Sequence, residues 1–395
     1  MLAFNSPNCT LRLRFTIRVL SLGWLILSEL LVDIFKEADI RPWETCSVRV
    51  LTTQLNIKWL QPRCRHLSQA ICSSQGDLVT ANAYQNSDLF WALRGGGGGT
   101  FGVVVCVTLK TFPEPPVVIQ TFNISFPDVK SLFDFTTSYL KLIPTIINAG
   151  GSGYWYLDPL GVIKATGTPE FIVIHFFFNH TDPAPITSLF DPVYATAAAI
   201  NGTSRLNLTY PFPLARYVMP LTGIDTTGSN VVLGTRLYSI SNLQTSDGAA
   251  NLSNALYSMN LDMPTIIEGH ITAGGQVSRN AHLDTALNPS WRVAAGEIVF
   301  PVGWNDSTSA ADQAKLIEQL TYVEMPKLIA VDPSMGAYTN EANAYEPDWQ
   351  TAFWGSNYPR LLQVKNKWDP HGLFRCNRCV GSERWDASGN CPAKS

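Results

Sequence analysis

The sequence predicts an α+β fold in which an antiparallel sheet carries helices on one face. Strand-like runs such as "EFIVIHFFF" are interspersed with long helical patterns such as "DVKSLFDFTTSYLKLI". Hydrophobic residues make up 46% of the 395 residues, which is ample material for a core. The length favours two or three domains.

Charge and hydropathy exclude two classes of partner. The net charge of −3 argues against nucleic acid, whose binding normally needs a clustered basic surface. The apolar run "VLSLGWLILS" follows Arg12, Arg14 and Arg18 but is too short to span a membrane. Because Glu29 and Asp33 follow closely and no small-x-small cleavage site appears, it is no clean secretion signal, and a buried helix remains the alternative.

Glycosylation sequons favour a secreted protein. The pattern Asn-x-Ser/Thr occurs at Asn8, Asn123, Asn179, Asn201, Asn207, Asn251 and Asn305. Eight cysteines fit the same compartment weakly. Among them Cys376 and Cys379 form a Cys-x-x-Cys pair without a second such pair, so a disulfide or free thiols are favoured over a metal site.

Composition changes near residue 73. Residues 1–72 contain a single glycine and no periodicity that predicts an element, so we interpret them as an atypical segment, with the character of foreign or mis-spliced sequence. From Gly76 the pattern is regular. A short strand, "GDLVTA", precedes the helix "NSDLFWAL", in which Ser87 is placed to cap the first turn. Glycines end this helix, and the strand "FGVVVCVTLKTF" follows.

Prolines at residues 113, 115 and 116 mark a boundary. The strands "GYWYL", "EFIVIHFFF", "GHITAGGQV" and "AGEIVFPVGW" and the helices between them occupy residues 117–334. His175 lies in an apolar strand and is predicted to be a core histidine rather than a ligand. From about residue 335 aromatic and amide residues become dense, and "NYPRLLQVKNKW" predicts a helix.

The five glycines from Gly95 to Gly99 do not form a nucleotide motif. Gly97-x-Gly99-x-x-Gly102 matches the letters of the dinucleotide fingerprint, but that motif needs a strand before the glycines and a helix after them. Here the order is helix, glycines, strand. The glycines also lack the Lys-Ser/Thr of a phosphate-binding P-loop. Two interpretations remain: a tight corner after a helix, or a backbone that approaches a cofactor closely.

Two long stretches resemble a known family. "NSDLFWALRGGGGGTFGVVVCVTLKTFP" resembles the end of the FAD-binding domain of FAD-linked oxidases of the vanillyl-alcohol oxidase superfamily, PCMH type. "YTNEANAYEPDWQTAFWGSNYPRLLQVKNKWDPHGLF" resembles the C-terminal berberine-bridge-enzyme segment of the same proteins, especially secreted fungal members. The resemblance covers residues 73–386. It implies the end of an FAD-binding domain at 73–116, a substrate domain at 117–334, a returning C-terminal segment at 335–386 and a tail at 387–395.

The resemblance also implies a cofactor and a reaction. FAD would take a hydride from an alcohol, a sugar or a specialised metabolite, and O2 would reoxidise it. Carried over by motif, the residues expected to contact FAD are Gly95, Gly96, Gly97, Gly98, Phe101, Gly102, Val103, Asn357 and Tyr358. Tyr338 and Glu341 lie within reach of such a site, and Tyr338 is the predicted catalytic base. No metal is implied, and the oligomeric state is not predicted.

One departure from the family keeps a second function class open. Family members carry a glycine-rich pyrophosphate loop and an Arg-x-x-Gly-His motif before the glycine corner, and this chain has no match to either. His66 and Cys72 lack the surrounding glycines, so the covalent flavin linkage is not carried over. The alternative to an oxidoreductase is therefore a non-catalytic remnant or incomplete gene product of the family. A secreted glycan-binding module is a third, supported only by the sequons and aromatic residues.

Overall fold

The computed structural model of the protein describes residues 45–48, 68–110, 115–163, 167–212, 230–260, 266–386 and 391–393. Within these ranges the chain forms two sheets, and all of their strand pairs are antiparallel. Helices and the C-terminal segment pack around them. The predictions for the N-terminal apolar run, for His66 and for Asn8 lie outside the described residues.

The smaller sheet has four strands in the order β1-β4-β2-β3. Its strands are β1 (Thr45–Val48), β2 (Ser68–Cys72), β3 (Leu78–Asn82) and β4 (Val103–Lys110). Helix α1 (Ser87–Leu93) and the five glycines Gly95–Gly99, here called the glycine corner, connect β3 to β4. The strand–helix–glycine–strand order predicted from Gly76 is confirmed within the described residues 76–110. Strand β2 lies between β3 and β4, so the sheet continues into the end of the segment that composition set apart.

The larger sheet has seven strands in the order β8-β5-β7-β6-β10-β11-β9. In chain order these are β5 (Val117–Ser125), β6 (Gly151–Asp158), β7 (Glu170–Phe178), β8 (Thr203–Pro211), β9 (Val231–Ser239), β10 (Ile267–Ile271) and β11 (Ala294–Gly303). The sequence analysis predicted β6, β7, β10 and β11. It missed β5, β8 and β9.

Ten further α-helices connect or cover these strands in the described part of the chain. They are α2 (Val129–Asn148), α3 (Ala184–Leu189), α4 (Asp191–Ala199), α5 (Ile240–Leu243), α6 (Gly248–Tyr257), α7 (Gly275–Arg279), α8 (Ala310–Gln319), α9 (Met325–Val331), α10 (Trp349–Trp354) and α11 (Tyr358–Trp368). A π-helical turn, Leu320–Glu324, joins α8 to α9. One of the predicted strands was too long, because "GHITAGGQV" leaves the sheet after Ile271 and continues into α7.

The main core lies between one face of the larger sheet and helix α2. Alternate residues of a strand point to opposite faces, so Phe171, Val173 and Phe177 of β7 share the buried face. On α2 the ring of Phe135 packs edge-on against Phe171 at 4.9 Å between centroids, and Tyr139 packs edge-on against Trp155 at 5.9 Å. This is the predicted arrangement of an antiparallel sheet with helices on one face.

Two local predictions have clear outcomes. His175 is a core histidine as predicted: its side chain is fully buried, and its Nε2 lies 2.6 Å from the hydroxyl of Tyr139. The prediction that Ser87 caps helix α1 was wrong, because Ser87 is the first helical residue and Asn86 occupies the cap position. Asn86 takes a left-handed conformation with φ 49°, and its side-chain amide donates instead to the carbonyl of Thr80.

Two further findings bear on the class of protein. Cys376 and Cys379 form a disulfide, as favoured over a metal site from their spacing. No helix in the described ranges is both long enough and apolar enough to cross a membrane.

Candidate active site

The C-terminal segment returns to the glycine corner and forms hydrogen bonds with its backbone and with the residue that follows it. The indole nitrogen of Trp354 donates to the carbonyl of Gly95 at 3.1 Å. The buried ammonium of Lys365 donates to the carbonyl of Thr100 at 2.6 Å. Helices α10 and α11 share one hydrophobic cluster with α1 and with Phe101. Residues more than 250 positions apart in the chain thus set the shape of the corner.

A second set of contacts holds the outer side of helix α1. The carboxylate of Asp284 accepts from the indole nitrogen of Trp91 at 2.7 Å and from the guanidinium of Arg360 at 2.9 Å. That guanidinium also stacks over the Trp91 ring, with 3.9 Å between its central carbon and the ring centroid. Helix α1, the segment around Asp284 and helix α11 are therefore tied together at one point.

The glycines of the corner differ in what surrounds them. A Cβ on Gly95 would overlap the backbone of Leu287, and a Cβ on Gly96 would lie 2.6 Å from the Leu361 side chain. In contrast, a Cβ on Gly98 or on Gly99 would have nothing within 4 Å. Close packing within the protein therefore accounts for Gly95 and Gly96, whereas Gly98 and Gly99 border open space.

The residues after the glycine corner also divide into positions that pack within the protein and positions at the surface. Phe101 is buried in the cluster with α10 and α11. A Cβ on Gly102 would lie 2.6 Å from the carbonyl oxygen of Cys72, so a glycine is needed where β4 passes β2. Val103 is 40% exposed. Of these three predicted FAD contacts, only Val103 presents a side chain at the surface.

Asn357 and Tyr358, the "NY" pair, make hydrogen bonds within the protein. The Asn357 amide donates to the carbonyl of Leu287 at 2.8 Å. The Tyr358 hydroxyl donates to Glu383 at 2.6 Å and accepts from the backbone N–H of Gly381 at 3.1 Å. Burial raises the pKa of the Tyr358 hydroxyl above its usual range, so it stays a neutral donor. Both residues lie beside the corner, and their contact with a flavin remains a prediction.

Tyr338, the predicted base, packs against the same apolar cluster as Leu287. Its ring packs edge-on against Trp291 at 5.5 Å, and the amide of Asn340 donates to its hydroxyl oxygen at 2.6 Å. The backbone N–H of Glu341 donates to the carbonyl of Tyr338 at 3.2 Å, so the two residues share one turn. Glu341 itself is buried, with only 2% of its side chain exposed.

Sequence reasoning missed a polar group on the larger sheet. His270 on β10 pairs in register with Glu297 on β11, so both side chains point to the face opposite the main core. The Nε2 atom of His270 lies 3.1 Å from Glu268, and its Nδ1 atom lies 3.8 Å from Glu341. The strand "EGHI" carried a signal, since Glu268 and His270 alternate with apolar residues. Glu297 carried none, because it lies in an apolar run.

This face of the sheet adjoins the glycine corner through apolar contacts. Leu237 of β9 is paired in register with Glu297 and packs in one cluster with Trp291. Leu287 lies against the same cluster, and the backbone of Leu287 is what a Cβ on Gly95 would meet. The sheet face that carries His270 and Glu297 is therefore connected to the glycine corner through this apolar cluster.

Comparison with known proteins defines the class. Among solved structures, the VAO-type flavoprotein MtVAO713 from Myceliophthora thermophila aligns with a TM-score of 0.73 at 23% identity, over 88% of this chain and 61% of that one. Berberine-bridge-enzyme-like protein 1 of Physcomitrella patens aligns with a TM-score of 0.62 at 20% identity, over 80% and 65% of the two chains. The fold is that of a VAO-type flavoprotein, which confirms the predicted fold class.

The sequence comparisons then identify relatives of the chain. Residues 337–381 match the family model "Berberine and berberine like". The chain is 40% identical over 337 residues to an "Uncharacterized FAD-linked oxidoreductase" of Arthroderma benhamiae, covering 83% of this chain and 57% of that protein. It is 32% identical over 332 residues to the flavin-dependent oxygenase ucdF of Aspergillus ustus, covering 81% and 59%. Its C-terminal segment matches the berberine-like family model, and the chain is a homologue of FAD-linked oxidoreductases.

The predicted resemblance is thereby confirmed. The chain spans less than two thirds of the length of these curated relatives, 57% and 59% for the two compared.

Proposed function

We propose that the protein is an FAD-dependent oxidoreductase that takes a hydride from a small alcohol, sugar or specialised metabolite, with O2 as the final electron acceptor. The family to which its relatives belong supports the cofactor and the reaction class. The observation that carries the proposal is the glycine corner, in which two glycines border open space while Trp354 and Lys365 of the C-terminal segment hydrogen-bond to the backbone of Gly95 and Thr100. A rigid, side-chain-free backbone is suited to close contact with a flat cofactor.

The residues at the corner fit a flavin edge. Gly97 and Gly99 have φ values of 99° and 71°, which glycine adopts without strain. We propose that Gly97, Gly98 and the exposed side chain of Val103 contact FAD directly. Gly95, Gly96, Phe101 and Gly102 would set the backbone that does so, and Asn357 and Tyr358 would hold the adjoining segments. When bound, FAD would supply the hydride acceptor.

Residues of the chain would then accept the proton that the substrate releases. Tyr338 is the predicted base, and the hydrogen bond from the Asn340 amide to its hydroxyl oxygen would stabilise a phenolate. Trp354 and Lys365 would keep the corner at a fixed distance from residues 285–288. In this proposal residues 73–116 and 335–386 build the cofactor side, and residues 117–334 build the substrate side.

Sequons support a secreted location. Asn179, Asn201, Asn207, Asn251 and Asn305 are exposed and accessible to a glycosyltransferase. We propose that the protein passes through the secretory pathway, where O2 and extracellular metabolites are available.

Flavin absorbance tests the proposal directly. The full chain would be purified, incubated with FAD and desalted, and its visible spectrum recorded. We expect retained flavin bands, which bleach anaerobically with at least one member of a panel of aldoses, oligosaccharides, benzylic alcohols and cyclic amines. Colourless protein after incubation would contradict the proposal and support the non-catalytic remnant. Retained flavin that no panel member reduces would count against the oxidoreductase reaction while leaving FAD binding intact.

A further inference from the structure

A network of one histidine and three glutamates lies on the face of the larger sheet opposite the main core. His270 lies at its centre, with Glu268 at 3.1 Å from Nε2 and Glu341 at 3.8 Å from Nδ1. Side-chain atoms of His270, Glu297 and Glu341 lie within 4.8 Å of one another. Three separate parts of the chain thus bring carboxylates to one imidazole.

Burial changes along this network. His270 and Glu297 are fully buried, and 2% of the Glu341 side chain is exposed. Glu268 is different, because 28% of its side chain is exposed. The network therefore connects the surface of the sheet face, through an imidazole, to two carboxylates in the interior.

Such a network is suited to holding a proton. Carboxylates close to an imidazole favour its charged form, while burial favours neutral groups. Interacting groups of this kind gain and lose protons as one unit. Among the described residues, tyrosines also lie close to the network, and Tyr238 reaches it from the face of the main core. Tyr154 packs edge-on against the His270 ring at 5.1 Å, Tyr156 is paired with Glu268, and the Tyr238 hydroxyl donates to the His270 carbonyl at 2.8 Å.

We infer that Glu268 is a second acid–base group of the proposed active site and that His270, backed by Glu341 and Glu297, positions it and shares its proton. This inference rests on the proposed oxidoreductase function. The network lies on the sheet face that adjoins the glycine corner through Leu237 and Trp291. In the step assigned to it, the substrate O–H bond breaks as its proton passes to the Tyr338 phenolate. Glu268 then accepts that proton, so a new O–H bond forms on Glu268 and the phenolate is restored. No electrons enter the network.

The test compares variants of the full chain loaded with FAD. Glu268→Gln removes the carboxylate that accepts the proton but keeps the size of the side chain. Glu268→Asp keeps a carboxylate. His270→Gln removes the imidazole with which Glu268 shares its proton. The matched control is Glu318→Gln, an exposed glutamate on α8. Flavin content is measured first, and the anaerobic rate of flavin reduction is then followed against pH, using the panel member that the wild type oxidises fastest.

We expect all four variants to retain flavin. Glu268→Gln should lower the limiting reduction rate by about 100-fold or more, in the range of general base catalysis, and lose the fall in rate on the acid side of the wild-type profile. Glu268→Asp should recover part of the rate, and His270→Gln should shift the acid limb. Glu318→Gln should match the wild type.

Three results would overturn the inference, and they are distinguishable. Glu268→Gln with a wild-type rate and pH profile removes the role of Glu268 alone. Stoichiometric transition metal in the purified protein, lost on His270→Gln, would make the network a metal site instead. A wild type that binds no FAD removes the proposed function and, with it, the step that the network would serve.

Discussion

The ammonium nitrogen of Lys365 lies 2.6 Å from the carbonyl oxygen of Thr100, the residue that follows the five glycines. The same nitrogen lies 2.6 Å from Asp369 and also donates to the carbonyl of Phe374. Burial lowers the pKa of Lys365, and the ion pair with Asp369 opposes that effect. One buried cation therefore ties the glycine corner to the C-terminal segment.

Removing this cation should destabilise the protein strongly. We expect Lys365→Met to lower the free energy of unfolding by about 3–5 kcal/mol, because it leaves the buried carboxylate of Asp369 without its partner. Although burial opposes it, the bond from Lys365 lowers the pKa of Asp369, so the carboxylate is charged. The measurement is urea denaturation. Lys367→Met is the control, since Lys367 is 63% exposed in its pair with Asp88 and should cost about 1 kcal/mol or less. Equal losses in the two variants would contradict the prediction.

Two glycines of the corner should respond differently to alanine. Gly95 has a φ of 129°, and a Cβ there would overlap Leu287, so Gly95→Ala should cost about 2 kcal/mol or more. Gly98 has open space around it and no positive φ, so Gly98→Ala should leave thermal unfolding nearly unchanged. If Gly98 contacts FAD, this alanine should still weaken FAD binding, measured by fluorescence titration. Unchanged FAD affinity in a folded Gly98→Ala protein would remove Gly98 from the cofactor site.

The buried histidine of the main core should make stability depend on pH. Burial lowers the pKa of His175 to about 3 in the folded protein, whereas an unfolded histidine has a pKa of about 6.5. Between these values the unfolded chain binds more protons. The free energy of unfolding should therefore fall as pH falls from about 6.5 toward 3, by up to about 1.4 kcal/mol per pH unit. Denaturation curves for His175→Asn should lose this part of the slope, and curves for the exposed His371→Gln should keep it. A slope that survives His175→Asn would refute the assignment.

Tyr338 can be tested without disturbing the fold. Tyr338→Phe keeps the ring that packs against Trp291 and removes only the hydroxyl that accepts from Asn340. We expect flavin content to stay the same and the rate of flavin reduction to fall by about 100-fold or more if the hydroxyl is the base. Asn340→Ser is the companion variant, which should slow reduction less. A Tyr338→Phe protein with full activity would leave the proton transfer to another group.

We expect only some of the sequons to carry a glycan. Asn123 is 5% exposed within β5, and its amide donates to Glu170 at 3.0 Å, so it should carry no glycan. Asn201 is exposed in a turn with a φ of 58°. After expression in a eukaryotic secretory host, peptide mass spectrometry should find a glycan on Asn201 and none on Asn123. Failure to find any glycan on exposed sequons of secreted protein would contradict the prediction.

Local pattern was sufficient for much of the fold. Helix α2, strand β7 and helix α11 follow from apolar spacing over long stretches, and the helix–glycine–strand order correctly excluded a nucleotide loop. The strands β5, β8 and β9 were missed. Residues of β5 are buried on both faces, so that strand lacks the alternation of a half-buried strand. Strand β8 does alternate in sequence, with Leu206, Leu208 and Tyr210 between polar residues, and the sequence analysis overlooked it.

The sequence by itself determined the resemblance to FAD-linked oxidoreductases, the α+β class and the presence of a glycine corner, because these depend on the order of residues along the chain. Only the tertiary structure decided which glycines of that corner pack against protein and which border open space. It alone joined Lys365 to Thr100, and His270 to Glu268, Glu297 and Glu341. Such contacts depend on sheet register and on the return of the C-terminal segment, and neither is encoded in the spacing of neighbouring residues.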